Sequence, residues 1–542
     1  METMQDDDRK KLAKIPEAGG ALEHTLNGLE RIHQHSNQVL TAHALEHTLA
    51  VLPDSNQILE ARNALSTTLP DTGCGIEETT GHLLAISQGF NASSLSCHYY
   101  GFVTGGVTPA ARIADSLVTL YDQNLAINLP NETIAINVEQ QALSMLAQLF
   151  GYTYQPEKSA AEWTMGTLTT GGTASNVLGL VSAREYLKMS HPNFNSDSMT
   201  QPIDDRFQVL TTLGHSSLSK AANIAGFGAD NVIDVAAEDC ISFDFEKLID
   251  QLSKHKYRSV VAVSCGEVNT GAFATHSKDE MGHLRDVCDQ YGAWLHVDAA
   301  FGMFAACLPD DHEYSHVRKG VEGLAYADSI AGDAHKLLNV PYDCGFFFAK
   351  SVDPTCAAFS NGSAPYLLGG GVQPWENPSN IGIENSRRFR ALPVYSTLRA
   401  YGRQGYTSMI SRCVDLARRI SRWIYESEHY KLLPRGRGSD YLQDTFIIVL
   451  FKARSSALNE TLTKRINATQ SMYVSATKWD GDSACRIAVS NWQVNVERDC
   501  AYVSKVLQDV YTQWRDEANN CLEEEIVSAE PFEKSSIRGG RD

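Results

Sequence analysis

Four polar segments in the middle of the 542-residue chain have residue types and spacings that suit cofactor chemistry. The first, TTGGTASN at 169–176, follows an extended segment and combines a Gly-Gly turn with hydroxyl groups where a helix is predicted to begin. Free backbone N–H groups at such a helix start bind phosphate well. The second is His215, which follows a short apolar run and offers an imidazole to the face of a flat ring.

The other two segments supply a carboxylate and an amine. Asp298 ends the apolar run at 294–297 and precedes two alanines, which leave room for a planar group. Because an unpaired buried charge is costly, this carboxylate needs a cation or a hydrogen-bond donor as its partner. Lys336 follows another extended stretch, shortly after Asp333 and His335, and its amine can form an imine with an aldehyde.

A phosphate cradle, a ring-facing imidazole, a buried carboxylate and an imine-forming lysine together predict a site for pyridoxal 5'-phosphate (PLP). In such a site the carboxylate keeps the pyridine nitrogen protonated, so that the ring acts as an electron sink. Raising the pKa of that nitrogen by roughly three units requires about 4 kcal/mol, which a close, desolvated ion pair can supply. We therefore expect PLP as the cofactor and no resident metal.

A parallel sheet covered by helices is needed to bring these segments together. Between about 160 and 350, short β-branched or aromatic runs alternate with helical patterns, which predicts an α/β fold. Ligands of such folds bind beyond the carboxyl ends of the strands, where all four segments fall. The predicted strands are 207–211, 259–264, 293–297 and 345–349, and the predicted helices include 173–189 and 278–291.

The order of TTGGTASN, His-Ser-Ser at 215–217, HVDAA at 296–300 and DAHK at 333–336 resembles the PLP-dependent amino-acid decarboxylases that include glutamate, aromatic-amino-acid and tyrosine decarboxylases. The likeness covers roughly residues 95–510. It implies an aspartate-aminotransferase-type fold (PLP fold type I), in which a large domain with a mostly parallel seven-stranded sheet precedes a smaller C-terminal α+β domain. It also implies a homodimer, because in this family a mobile loop after the lysine acts across the subunit interface.

Carried over by position, the resemblance implies roles for individual residues. Lys336 is the Schiff-base lysine, Asp298 the partner of the pyridine nitrogen, and His215 the ring-stacking imidazole. Tyr366, in the glycine-rich segment that matches the mobile loop, is the expected proton donor after carbon dioxide leaves, so the catalytic set is Lys336, Tyr366 and His215. The remaining cofactor contacts are expected from Thr173, Ala174, Ser175, Ala300 and His335.

The substrate is expected to be an aromatic L-amino acid such as tyrosine. Tyr99, Tyr100 and Phe102 lie where relatives place substrate-lining residues, and Asp333, where many relatives have asparagine, resembles the tyrosine-decarboxylase branch. Glu267 is a second departure, because several relatives have threonine there. The alternatives are an acidic substrate (glutamate, aspartate or cysteine sulfinate), a related PLP enzyme that makes an aldehyde or cleaves a carbon–carbon bond, and a cofactor-free scaffold.

The length exceeds what one hydrophobic core usually covers, so several domains are expected. The small domain is predicted to contain strands at 445–451 and 485–490 and a closing helix from residue 497. We predict a polar, partly ordered arm at 1–50, an N-terminal helical segment at 51–110, the large PLP-binding domain at 111–388, the small α+β domain at 389–516 and a disordered tail at 517–542.

Charge and composition restrict the partners. The 46 basic and 65 acidic residues give a net charge of −19, which repels nucleic acid and anionic membranes. The chain starts without a signal-peptide pattern and has no apolar run long enough to cross a bilayer. Its 12 cysteines are scattered without a C-x-x-C pair. We therefore predict a cytoplasmic protein whose partner is a small-molecule amino acid.

A competing motif is the H-E-x-x-H sequence at 312–316, which in zinc proteases places two imidazoles one helical turn apart. Pro309 lies just upstream, and no long apolar-faced helix surrounds the motif. We therefore interpret it as a solvated loop or short helix, with a zinc site as the alternative.

Overall fold

The computed structural model describes residues 23, 25–36, 38, 50–155, 163–190, 206–254, 256–360, 373–433 and 441–528. Within these ranges the chain forms a large α/β unit, followed by a smaller unit built on an antiparallel sheet. The predicted fold class, with its mostly parallel seven-stranded sheet and its smaller α+β unit, is confirmed.

Seven strands form the large sheet, in the order β1-β7-β6-β5-β4-β2-β3. Only β7 is reversed, because it runs antiparallel to both of its neighbours. Strands β1, β6 and β7 are buried along their whole length, as expected for a sheet with helices on both faces. The strands are Met165–Thr169 (β1), Arg206–Thr211 (β2), Val232–Asp234 (β3), Tyr257–Ser264 (β4), Trp294–Asp298 (β5), Ser329–Asp333 (β6) and Gly345–Ala349 (β7).

Strands β2, β4, β5 and β7 lie where the apolar runs predict them. Strands β1 and β6 have the sequences MGTLT and SIAGD, whose small and polar residues mark an extended segment without identifying a strand. Strand β3 has three residues, too few for a period-two pattern to be recognised.

The large unit is surrounded by helices whose ends follow local capping rules. For example, the Ser277 hydroxyl accepts the Glu280 N–H at the start of α8, and Gly292 ends that helix with a φ of 64°. Residues 25–36 are also helical. The labelled helices up to the small unit are Ser55–Ala64 (α1), Ile76–Ile86 (α2), Pro109–Tyr121 (α3), Ala135–Leu149 (α4), Gly172–Met189 (α5), Ser216–Ile224 (α6), Phe245–Leu252 (α7), Lys278–Tyr291 (α8), Ser315–Lys319 (α9), Ala334–Leu337 (α10) and Asp353–Phe359 (α11).

The small unit has a four-stranded antiparallel sheet in the order β10-β11-β9-β8, packed against two helices, on which a third helix packs. Its first helix is interrupted at Gly402, where a φ of 56° takes the backbone out of the helical region. The elements are Ala391–Glu426 (α12), Tyr430–Leu432 (β8), Ile448–Ala453 (β9), Ser456–Ala468 (α13), Ser475–Trp479 (β10), Asp482–Ala488 (β11) and Val496–Ser528 (α14).

Two features of this unit depart from the predicted boundaries. Residues near 100, expected within an N-terminal helical segment, pair with the small unit: the Tyr100 N–H donates to the Tyr473 carbonyl at 2.9 Å, and the Ala488 N–H donates to the Tyr100 carbonyl at 3.1 Å. Helix α14 continues to Ser528, so the first part of the tail predicted to be disordered from residue 517 is helical. Residues 529–542 lie outside the described ranges.

Among the described residues, no helix is both long enough and apolar enough to cross a membrane. The cytoplasmic location stays a prediction from the sequence.

Candidate active site

A cavity of about 300 Å³ lies at the carboxyl ends of the parallel strands, where the sequence predicts the site. Strands β1, β2, β4, β5 and β6 each end at its wall, because parallel strands place their carboxyl ends at one edge of the sheet. The cavity brings together seven of the predicted cofactor residues, namely Thr173, Ala174, His215, Asp298, Ala300, His335 and Lys336.

The turn between β1 and α5 is tight because it is made of glycine. A Cβ atom on Gly345 would lie 2.6 Å from the Gly171 Cα, and one on Gly172 would lie 2.8 Å from Asp333 Oδ2. Thr173 and Ala174 follow in the first helical turn, whose N–H groups have no carbonyl partner within the helix. The positive end of the α5 dipole therefore faces the cavity and favours an anion there.

Ser175, predicted to contact the phosphate, is bonded within this turn. Its hydroxyl is 2.7 Å from Thr169 Oγ1, and its N–H donates to the Gly171 carbonyl at 3.0 Å. The side chain is fully buried, and the residue is not part of the cavity wall. These contacts hold Ser175 within the turn, and its contact with a phosphate stays a prediction.

Asp298 ends β5 with both carboxylate oxygens held by neutral donors. The Asn176 amide donates to Oδ2 at 2.9 Å, and the Ala300 N–H donates to Oδ1 at 3.3 Å. In the described part of the chain, no ion pair neutralises this carboxylate. Its charge is therefore available to a cationic group in the cavity.

Lys336 lies in the short helix α10, directly after β6. Its Nζ is 2.9 Å from Asp333 Oδ2 and 5.6 Å from the centre of the Phe301 ring. Asp333 is buried and also accepts the Gly172 N–H through Oδ1. The acid that replaces the asparagine of many relatives thus links the lysine to the glycine turn, a role that the sequence comparison alone did not predict.

Two histidines complete the wall. His335 donates from Nδ1 to the Cys344 carbonyl at 2.8 Å, and burial lowers its pKa although Asp333 opposes the shift. His215 is exposed on the open side of the cavity, where its Nδ1 lies 2.6 Å from Ser217 Oγ. Desolvation by the surrounding protein lowers the pKa of His215 as well, with Asp298 opposing it. Both imidazoles are therefore neutral at pH 7.

Two residues behind the cavity were missed by the sequence reasoning. Asn176 lies within the TTGGTASN segment, one turn below Thr173 on α5, and contacts Asp298 directly. His296 lies two residues before Asp298 on β5, and it contacts Asn176. Alternate residues of a strand share a face, so the period-two spacing of His296 and Asp298 was the available signal.

Glu267 does not point to a new catalytic acid. Its carboxylate accepts the N–H groups of Asn269 and Thr270 at 2.9 and 2.8 Å and the Thr270 hydroxyl at 2.8 Å. Glu267 is buried and closes the turn that carries Gly266 and Val268 along the cavity. The Glu267 carboxylate, which stands where several relatives have threonine, therefore has its hydrogen-bond partners within its own turn.

Tyr366 lies outside the described residues, since 361–372 are not among them. The H-E-x-x-H motif does not form a single helical turn: His312 precedes α9, whereas His316 lies in it. His316 Nδ1 is 3.2 Å from Asp444 Oδ1, and the Glu313 carbonyl accepts from Arg418. This arrangement matches the predicted loop and short helix.

The residues present fit PLP. The glycine turn offers an anion site, Asp298 offers an uncompensated negative charge, and Lys336 offers an amine on the same cavity wall. Thr173 and Ala174 would hold the phosphate, and Asp298 would hold the pyridine nitrogen. In this cavity PLP would supply an aldehyde with which the Lys336 amine can react, and an electron-withdrawing ring.

Comparisons with known proteins agree with this assignment. A model of the pyridoxal-dependent decarboxylase conserved domain matches residues 102–437. The chain is 26% identical over 439 residues to aspartate 1-decarboxylase of Aliivibrio fischeri, covering 78% of this chain and 76% of that protein. It is 24% identical over 421 residues to tryptophan decarboxylase TDC2 of Camptotheca acuminata, covering 73% and 77% of the two chains.

Solved structures show the same fold. Oryza sativa TDC with PLP and tryptamine superposes with a TM-score of 0.74 at 19% identity, covering 92% of this chain and 99% of that chain. Mouse CSAD gives a TM-score of 0.72 at 18% identity, covering 90% and 98%. Because the family model spans more than half of the sequence, the chain belongs to the pyridoxal-dependent decarboxylase family and is a PLP-dependent carboxy-lyase acting on an amino acid.

Proposed function

We propose that the protein decarboxylates an aromatic L-amino acid such as tyrosine to the corresponding amine and carbon dioxide. The observation that carries this proposal is a group of aromatic side chains that begins at His335 of the cavity wall and extends behind it. Tyr342 packs on His335 with ring centres 4.4 Å apart, and Tyr99 stacks on Tyr473 at 4.7 Å. Burial is the main cause that raises the pKa of Tyr99 to about 12, with smaller contributions from Tyr473 and Tyr342, so the Tyr99 hydroxyl is uncharged at neutral pH.

The charges of the wall support the same proposal. Among the described lining residues, Lys336 is the cation at neutral pH, because both histidines are neutral, and Asp298 and Asp333 are acidic. A substrate with a second carboxylate would bring another negative charge towards these two acids. An uncharged aromatic side chain avoids that repulsion.

The side chains of the wall have separable roles in this proposal. Lys336 would exchange its amine for that of the substrate, and Asp298 would hold a proton on the ring nitrogen. His215 would cover one ring face, opposite the small Ala300. Tyr366 stays the proposed proton donor to the substrate carbon after carbon dioxide leaves.

One structural feature favours an acidic substrate as the second candidate. Arg486 of β11 is buried, donates from Nε to the carbonyl of Val268 behind the cavity wall, and has an Nη2 group with no hydrogen-bond partner among the described residues. A guanidinium N–H can bind a carboxylate, although this Nη2 group is buried and would reach a substrate only if the wall at Val268 moved. Similarity to aspartate 1-decarboxylase and to L-aspartate decarboxylase dtxS4 of Metarhizium robertsii, 26% identical, supports this candidate.

A product panel separates the two candidates. The PLP-loaded protein is incubated with L-tyrosine, L-tryptophan, L-phenylalanine, L-aspartate, L-glutamate and L-2,4-diaminobutyrate, and amines are quantified by mass spectrometry. We expect tyramine or another aromatic amine as the main product. β-Alanine is the amine that aspartate would give. If it were the only product, and if Arg486→Met selectively lost its release, the acidic substrate would replace the aromatic one. Aldehyde and hydrogen peroxide in place of amine would support the oxidative alternative.

We also propose that the protein is a homodimer. Helix α3 exposes Ile113, Leu117, Leu120 and Tyr121, with exposures of 68, 43, 73 and 68%, at the i, i+4, i+7, i+8 spacing of one helix face. An apolar stripe of this kind is typical of a surface that a second subunit covers. Sedimentation equilibrium should give twice the chain mass, and Leu120→Lys should lower it. The same change at Ile224, an exposed residue on α6, should leave it unchanged.

A further inference from the structure

A continuous chain of buried hydrogen bonds runs from the core to Asp298. Trp294 Nε1 is 2.9 Å from Ser329 Oγ, which is 2.8 Å from His296 Nδ1. His296 Nε2 is 3.0 Å from Asn176 Oδ1, and Asn176 Nδ2 is 2.9 Å from Asp298 Oδ2. The first four residues of this chain are at most 2% exposed.

The direction of every hydrogen bond in this chain is determined by its two ends. An ionised carboxylate only accepts, so the Asn176 amide must turn its NH₂ group to Asp298 and its oxygen to His296. His296 must then donate from Nε2 and accept at Nδ1. An indole N–H only donates, so Trp294 donates to Ser329 and the Ser329 hydroxyl is free to donate to His296 Nδ1. The Asp298 end therefore requires a proton on His296 Nε2, and the Trp294 end is compatible with an unprotonated Nδ1, as in one neutral tautomer of His296.

One further observation supports the neutral form of His296, and another explains how its ring fits. Burial lowers the pKa of His296 to about 4, and Asp298 opposes the shift without reversing it. Gly179 of α5 leaves room for the ring, because a Cβ atom there would lie 2.5 Å from His296 Cε1 and 2.7 Å from Nδ1. The helix thus carries a glycine where the imidazole needs the space.

The Asn176 amide also reaches the histidine on the other side of the cavity. Its Nδ2 lies 3.4 Å from Ser217 Oγ, and that hydroxyl is 2.6 Å from His215 Nδ1. The Ser217 N–H donates to the same nitrogen at 3.1 Å. His215 Nδ1 is therefore an acceptor, which leaves the proton of the neutral ring on Nε2. One amide group thus contacts the carboxylate and, through Ser217, the imidazole of the site.

We propose that Asn176 and His296 are positioning residues that hold Asp298 as a hydrogen-bond acceptor, aligned to keep the ring nitrogen of the cofactor protonated. A carboxylate free to rotate or to accept a proton itself would hold that proton less firmly. The proposal rests on the PLP-binding activity and is independent of the substrate, so the product panel can fail without affecting it.

Two substitutions of His296 form a matched pair. Glutamine places an amide nitrogen near the position of Nε2 and keeps a donor to Asn176. Asparagine places its amide near Nδ1, keeps a contact with Ser329, and loses that donor. Both variants are polar and of similar size, so a role limited to filling the core predicts similar behaviour for the two.

The direct measurement is solid-state ¹⁵N NMR of the protein loaded with PLP labelled at the ring nitrogen, together with the PLP dissociation constant. We expect a protonated ring nitrogen in the wild type and in His296→Gln. In His296→Asn we expect a substantial unprotonated fraction and about tenfold weaker PLP binding, because the buried Asn176 oxygen loses its partner and its amide can turn. Ser182→Ala, which removes a buried hydroxyl of α5 bonded to Thr355 at 2.8 Å, should match the wild type.

A second variant keeps the test decisive if His296→Asn does not fold. Asn176→Ala removes both amide donors without altering the space below Gly179, and it should produce the same unprotonated fraction. A fully protonated ring nitrogen in either folded variant would overturn the proposal, whether or not PLP binds more weakly. Equal loss of the proton in His296→Gln and His296→Asn would also overturn it.

Discussion

Replacing Gly105 with alanine tests whether packing fixes the backbone that carries Lys336. A Cβ atom on Gly105 would lie 1.9 Å from the carbonyl oxygen of Lys336 and 2.5 Å from Asn339 Nδ2. Cβ contacts below 3.0 Å essentially do not occur, so the two backbones would have to separate by about 1.1 Å. No side-chain rotation relieves this clash, because the Lys336 oxygen belongs to the main chain.

The size of the effect follows from this displacement. The Asn339 amide holds the region together by donating to the Gly105 carbonyl at 2.7 Å and to the Ser490 carbonyl at 3.1 Å. Moving the Lys336 backbone therefore also disturbs the hydrogen bond from Asn339 to Ser490, which joins this region to the small unit. A misplacement of about 1 Å in a catalytic group lowers rates by about 100-fold, equivalent to about 2.7 kcal/mol.

The assay is kcat/KM for amine release from the substrate identified by the product panel, with thermal unfolding to verify that each variant folds. We expect Gly105→Ala to lose about 100-fold in kcat/KM. Gly73→Ala is the matched control, because nothing lies within 4 Å of a Cβ atom at that position. A folded Gly105→Ala protein with a rate within threefold of the wild type would refute the reasoning.

Three further predictions concern buried charges. Burial opposes ionisation of Asp499, but hydrogen bonds from His98 and Arg498 outweigh it and lower the pKa from 3.8 to about 2. This carboxylate should therefore contribute about 2 kcal/mol of stability above pH 4, lost as the pH falls towards 2; an Asp499→Asn unfolding penalty that is equal at pH 6 and pH 3 would contradict this. Arg387 pairs with Glu139 at 2.8 Å, and both side chains are buried. Arg387→Met should therefore lower the free energy of unfolding by about 3–5 kcal/mol in urea titrations, because it leaves Glu139 without its partner. Adding Glu139→Met should recover part of that loss. Asp333→Asn keeps an acceptor for the Gly172 N–H but removes a negative charge beside the anion site. PLP should therefore bind about tenfold more tightly in a fluorescence titration. Unchanged or weaker binding would contradict that expectation.

The fold and the first contacts of the site could be predicted from the sequence because they depend on local patterns. The apolar runs of β4, β5 and β7 identify buried strands, and Asp298 and Lys336 stand out because they follow an apolar run and an extended stretch. The resemblance then aligns these positions with known roles. The resemblance did not predict that the Ser175 hydroxyl is bonded to Thr169. This contact depends on the geometry of one turn.

The contacts between distant segments could not be predicted in this way. The hydrogen bond between Asn176 and His296 joins residues 120 positions apart, and the approach of Gly105 to Lys336 also joins distant segments of the sequence. Arg486 reaches the turn at Val268 from 218 residues away. Neither periodicity nor spacing contains this information, since each contact arises only when distant segments pack together, such as α5 against β5 or β11 against the turn after β4.

The most direct test of the central assignment is reduction of the PLP-loaded protein with borohydride, followed by proteolysis and peptide mass mapping. Reduction makes the bond between the lysine and PLP permanent, so the labelled residue is identified without any substrate. We predict one pyridoxyl label, on Lys336, and no label in folded Lys336→Ala. A label on a different lysine of the wild-type protein, or a Lys336→Ala variant that is still labelled, would contradict the account.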